Sequence, residues 1–162
     1  MKKIEFKSPI IIFFLFFTSI LKAESVWDKP TSALSEATQI TVYRSPTCGC
    51  CGKWLDHLRK HGFEVKDIKT EEMNVIKGQL GVPQHLGSCH TALVNGYIVE
   101  GHVPAGDIIK LLKDKPDLAG LTVPGMVTGS PGMEMGGDKE PFEVFSFDKK
   151  GKQEKYSEYL FY

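Results

Sequence analysis

Apolar and polar positions change period several times along this chain, and each change predicts an element. Ile10 to Phe17 is an unbroken apolar run. Gln39–Tyr43 (Q-I-T-V-Y) has the β-branched and aromatic content of a strand. Over 52–61 the period lengthens: Leu55 and Leu58 stand three apart with Trp54 flanking them, which predicts a helix stopped at Gly62. Phe63 to Asp67 predicts a second strand, and 71–80 a second helix ended by Gly81-Val82-Pro83. Thr91–Val94 and Tyr97–Val99 flank Asn95-Gly96, a dipeptide favoured in two-residue hairpin turns. Over 105–113, Ile108, Ile109, Leu111 and Leu112 supply the apolar face of a third helix. The order β-α-β-α-β-β-α predicts an α/β, thioredoxin-like domain: a central mixed sheet with helices on both faces.

Beyond the third helix this periodicity breaks up. Residues 115–137 are crowded with Gly and Pro and carry Met126, Met133 and Met135, so a long loop is expected. Phe142 to Phe147 alternates again and predicts an extra C-terminal strand. A turn at 149–152 leads into a tail rich in aromatics: Tyr156, Tyr159, Phe161 and Tyr162. The expected domains are thus a signal peptide over 1–23, a polar lead-in over 24–38, the thioredoxin-like domain over 39–148 and a tail over 149–162.

The first residues set the compartment. Lys2, Lys3 and Lys7 precede the apolar run, and Thr18 to Ala23 leads out of it, the layout of a cleavable secretory signal peptide. The run is short against the roughly 20 residues that a bilayer span needs, so no stable membrane span is expected after cleavage. The expected location is the periplasm. The whole chain carries 20 basic and 20 acidic residues. Cleavage after Ala23 removes Lys2, Lys3, Lys7, Lys22 and Glu5, which leaves a net charge of −3. A mildly acidic chain lacks the basic surface that nucleic acid requires.

Candidate chemistry concentrates in four cysteines. Three lie in Cys48-Gly49-Cys50-Cys51, and the fourth, Cys89, is followed by His90. Such density points to thiol redox chemistry or to a soft-metal site, since thiolate suits Cu(I), Zn(II) and iron–sulfur clusters. Two structural disulfides fit badly: Cys50–Cys51 is strained, Cys48–Cys50 closes a very tight ring, and Cys48–Cys51 with Cys50–Cys89 interlocks at one helix turn. Cys50 and Cys51 fall at the first helix's N-terminus, which favours thiolate. In a thioredoxin-like sheet the loop before the hairpin, with Cys89 and His90, packs beside that helix start. Compared with a Cys-Gly-Pro-Cys motif, Cys50 replaces the proline and Cys89-His90 stands at or beside the usual cis-proline. Both replacements turn a dithiol catalyst toward a metal pocket. Met126, Met133 and Met135 add soft thioethers outside any apolar periodicity. His85 and His102 are further candidates, whereas His57 is expected to face solvent and His61 to partner the first helix's C-terminal dipole.

Three long motifs carry a family resemblance: Y-R-S-P-T-C-G-C-C-G-K-W, then G-V-P…S-C-H-T-A-L-V-N-G-Y-I-V-E-G-H-V-P, then L-T-V-P-G-M-V-T-G-S-P-G-M-E-M-G. They resemble the CopG-type periplasmic copper-resistance proteins over roughly residues 39–148. The resemblance implies several Cu(I) ions held as a thiolate cluster by Cys48, Cys50, Cys51 and Cys89, with the methionine loop nearby. It further implies a role in copper redox handling, an oxidoreductase activity left open, and other periplasmic copper-handling proteins as partners. Two other readings stand beside it: a thiol–disulfide oxidoreductase using Cys48 and Cys51, and a zinc-binding structural module.

Overall fold

Sheet and helices follow one another through the described residues, 25–29 and 37–162, of the computed structural model. The expected signal peptide, and residues 24 and 30–36 of the lead-in, lie outside them. The elements are β1 (Thr38–Arg44), α1 (Gly49–Lys60), β2 (Phe63–Lys69), α2 (Met73–Leu80), β3 (His90–Val94), β4 (Tyr97–Glu100), α3 (Ala105–Asp114), β5 (Gly120–Thr122), β6 (Phe142–Phe147) and β7 (Gln153–Tyr159). One mixed sheet has the order β2-β1-β3-β4-β5-β6-β7. β1 runs parallel to β2, and β4 parallel to β5, while the other neighbours are antiparallel. The β3–β4 hairpin turns at Asn95 (φ 47°) and Gly96 (φ 84°), the two positive φ values a tight turn of this kind demands.

Alternating side chains divide the sheet into two faces. Ile40, Val42, Ala92, Val94, Val99, Leu121 and Val144 pack with Trp54, Leu55 and Leu58 of α1 and Ile108, Ile109, Leu111 and Leu112 of α3. Leu86, Ile98 and Phe147 form the smaller core behind, with Leu80 of α2 against it. The helices therefore lie on both faces, as expected. α2 buries none of its residues. It is pinned instead by Lys77, which donates to Thr91 Oγ1 at 2.9 Å and pairs with the Glu100 carboxylate.

Two expectations about the C-terminal third need correction. Residues 115–137 are not one loop, because Gly120–Thr122 bridges β4 and β6 as a strand. Three residues between Gly and Pro neighbours leave no legible period. The expected tail carries β7, paired along the whole of β6 with a register shift at Val144/Phe145. Its aromatics fold back on the lead-in: Trp27 lies 5.1 Å from Tyr159 and 5.0 Å from Tyr162, ring to ring, and donates Nε1–H to the Gly129 carbonyl at 2.8 Å.

Candidate metal centre

α1 begins three residues earlier than its apolar period suggests, and this places the cysteines. Cys48 is the N-cap, its Sγ accepting from the Cys51 N–H at 3.4 Å, so Cys50 and Cys51 occupy the first turn. Arg44 braces the approach. Its guanidinium grips both Asp67 oxygens, at 2.9 and 2.8 Å, and donates to the carbonyls of Ser45 and Cys48 at 3.4 and 3.3 Å. Charge-assisted bidentate pairs of this kind are stiff.

Cys48 and Cys51 are joined as a disulfide, with their Cα atoms 5.4 Å apart, while Cys50 and Cys89 are free. The expectation that every pairing is awkward fails here. A C-x-x-C at a helix start spans that distance without involving Cys50 or Cys89. Cys50 Sγ stands 3.5 Å from Cys48 Sγ, and Cys89 Sγ stands 3.5 Å from Cys51 Sγ. All four sulfurs lie within 4.8 Å of one another. The chain thus closes a 38-residue separation onto one helix turn.

Cys89 is held by a buried polar network that the sequence reading missed. Glu100, wholly buried, accepts from the Ser88 N–H at 2.6 Å and from Thr91 Oγ1 at 2.6 Å, and it pairs with Lys77. Ser88 Oγ donates to the Gly125 carbonyl, and Gly125 N–H donates to Gly87. Gly101 permits this approach: its φ is +72°, and a Cβ there would sit 2.5 Å from Ser88 Oγ. The legible trace of the network was a glutamate ending an otherwise apolar strand.

A second group of donors shares Cys89. His90 Nδ1 lies 3.3 Å, and His102 Nε2 3.2 Å, from its sulfur. The His90 ring lies tilted against Trp54, 4.3 Å between centroids, and His102 meets His90 edge-on at 4.9 Å. His102 Nδ1–H donates to the Pro131 carbonyl at 2.8 Å, which leaves Nε2 as the lone-pair nitrogen facing the sulfur. Burial first, and then the neighbouring His102 and Lys77, holds His90 well below its ordinary pKa; burial also lowers His102. Both shifts favour the neutral imidazole, the form that binds a metal. Burial, and then the neighbouring Cys50, pushes the Cys89 thiol up to about 12. Any metal that takes this sulfur must displace a proton.

The Gly/Pro/Met segment closes the site from α1's side. Gly132 (φ +83°) leaves no room for a side chain: a Cβ would lie 2.7 Å from Trp54 N and 3.0 Å from the Cys50 carbonyl. Met133 follows it into a buried position, while Met126 and Met135 are 54% and 62% exposed. Met126 stands beside Gly125 at the rim of the Cys89 loop. His85 is exposed and outside both donor groups. His57, expected at the surface, is instead buried, accepting from the Ala105 N–H at 3.0 Å on Nε2. α1 turns it toward the start of α3. His61 stands at the helix end, where its Nδ1–H donates to the His57 carbonyl at 2.8 Å.

A family model described as a protein of unknown function, DUF411, matches residues 86–133, which hold Cys89, His90 and His102. Two solved structures of a copper resistance protein, CopG, are similar to the chain. Form 2 is 45% identical, covering 76% of this chain and 99% of its own, with a TM-score of 0.73. Form 1 is 46% identical, covering 76% and 98%, with a TM-score of 0.72. No curated protein matches the chain.

Proposed function

Because this chain belongs to the CopG family of copper resistance proteins, we propose that it is a periplasmic protein that holds Cu(I) as a multinuclear thiolate cluster on Cys48, Cys50, Cys51 and Cys89. One observation carries the reading: four sulfurs within 4.8 Å of one another at a helix N-terminus. That spacing lets single thiolates bridge several soft ions, whereas a structural zinc site uses four thiolates as separate corners of one tetrahedron. Met126, Met133 and Met135 are the soft donors for entry and transfer, and His90 completes the site on the sheet side. The basic residues before the apolar run of 10–17 support export. Among the described residues no helix is long and apolar enough to cross a membrane.

The Cys48–Cys51 bond supports a redox role for the same sulfurs. Two thiolates that close into a disulfide release two electrons, and two Cu(II) ions accept them to become two Cu(I). The test is anaerobic Cu(I) loading of the fully reduced protein, with copper per chain and free thiols counted together. Several coppers with all four thiols consumed are expected, and Cys89→Ser should abolish that stoichiometry. Unchanged copper per chain in Cys89→Ser refutes the shared site.

The same disulfide favours a second reading, a thiol–disulfide oxidoreductase. A copper-free protein that exchanges disulfides with peptide thiols, at a potential within the range of the known oxidoreductases, supports it. Thiols that react only once copper is stripped argue against it.

A further inference from the structure

We propose that Cys89, His90 and His102 form a separate mononuclear site, open while Cys48 and Cys51 are disulfide-bonded, that takes one divalent transition-metal ion of the zinc or cobalt class. It shares Cys89 and His90 with the thiolate cluster but does not rest on that reading. The disulfide withdraws two of the four sulfurs from metal binding. Two free sulfurs remain, those of Cys50 and Cys89, and Cys89 alone of them is grouped with two imidazole nitrogens, the three donor atoms all within 4.8 Å of one another.

The donor set is borderline rather than soft, and it suits a divalent ion better than Cu(I). Its dimensions fit as well. Metal–sulfur and metal–nitrogen bonds of about 2.3 and 2.0–2.1 Å at a tetrahedral angle put sulfur and nitrogen about 3.5 Å apart. The sulfur-to-nitrogen distances here are 3.3 Å to His90 and 3.2 Å to His102. A few tenths of an ångström of side-chain movement admits the ion.

One further feature marks the site as built. The Pro131 carbonyl fixes the tautomer of His102, the usual arrangement behind a metal-binding imidazole. His90 is wholly buried, with Nδ1 toward the sulfur and no hydrogen-bond partner at Nε2 among the described residues. Nδ1 is thus the nitrogen offered to the ion, with the Cys89 thiol as its partner in the metal-free protein. Cys50, the other free thiol, lies within 4.8 Å of Cys89 but outside the triad.

The test uses the disulfide-intact protein under anaerobic conditions, titrated with Co(II) and then back-titrated with Zn(II). One cobalt per chain is expected, with a thiolate-to-cobalt charge-transfer absorption that zinc abolishes. Cys89→Ser and His102→Ala should lose it, by more than the roughly 10–100-fold that an outer-shell change costs. Cys50→Ser should keep it. His102→Gln, a closer match in size, provides a second variant should the alanine protein misfold, which near-UV circular dichroism detects. No cobalt retention, retention unchanged without His102, or loss in Cys50→Ser overturns the proposal. Copper per chain in the reduced protein reads the thiolate cluster independently, so each idea can fail alone.

Discussion

Glu100 offers the sharpest test of how the fold holds Cys89. Its carboxylate accepts from the Ser88 N–H and the Thr91 hydroxyl and pairs with Lys77, whose side chain is 16% exposed against 0% for Glu100. Two effects oppose each other here. Burial raises the Glu100 pKa, and the Lys77 charge, the strongest opposing influence, does not cancel that rise. Desolvation therefore outweighs pairing, and a neutral isostere should cost little. Glu100→Gln is expected within about 1 kcal/mol of the parent, because Gln keeps an acceptor for Ser88 and Lys77 can extend toward solvent. Glu100→Ala removes every acceptor, leaving the Ser88 amide and the Thr91 hydroxyl unpartnered beside a cavity, which is worth about 2–5 kcal/mol. Urea unfolding of the disulfide-intact protein at neutral pH measures both without adding salt. The sign with pH follows. A carboxyl whose folded pKa is raised contributes stability that is complete below its unfolded value and lost as pH rises through the folded one. Glu100→Gln should be flatter across that window. Glu100→Ala should also scatter Cys89 and lower copper per chain. Equal costs for the two variants, or an alanine variant as stable as the parent, refute the reasoning.

Three further outcomes follow from the same geometry. His57 has its pKa lowered by burial from 6.5 to about 3, so the stability it supports is present above about pH 6.5 and lost as pH falls toward 3, on the order of 5 kcal/mol in full. His57→Gln should flatten urea midpoints over that range, and an unchanged slope counts against a neutral buried imidazole. Gly132→Ala should cost about 2–4 kcal/mol, from its positive φ and the contact with Trp54 N, and shift the Pro131 carbonyl off His102. A wild-type urea midpoint excludes that close approach. In the metal-free protein Cys89 should alkylate slowly at pH about 7–9, since its thiol stays protonated. Rapid modification of Cys89 by iodoacetamide, located by mass spectrometry, would show the burial argument to be mistaken.

Much of the fold was legible because long elements repeat their period. The strand at 142–147, the Asn95-Gly96 hairpin and the third helix were found close to their true bounds, where apolar spacing and turn chemistry agree. β5 and β7 were not. One is three residues long, and the other is largely polar, paired by its backbone rather than by buried side chains. At the centre, the crowding of cysteines could be read directly, and so could the juxtaposition of Cys89 with the helix start once the fold class was recognised. The roles of Arg44, Lys77 and Glu100 could not, since a charged residue in sequence carries no mark of what will bury it. Nor could the division among the methionines, one buried and two exposed.

The sequence by itself determined the donor chemistry: four thiols, neighbouring histidines and thioethers, on a chain whose patterning builds a mixed sheet with flanking helices. Side-chain identity and period are local properties, and they need no third dimension. Tertiary structure alone decided which donors meet. The fold carried Cys89 and His102 to the start of α1, turned His57 inward, and set Glu100 beneath the Ser88 amide. Those distances depend on how β3, β4 and the Gly132 approach to α1 pack together, and packing is a property of the whole chain.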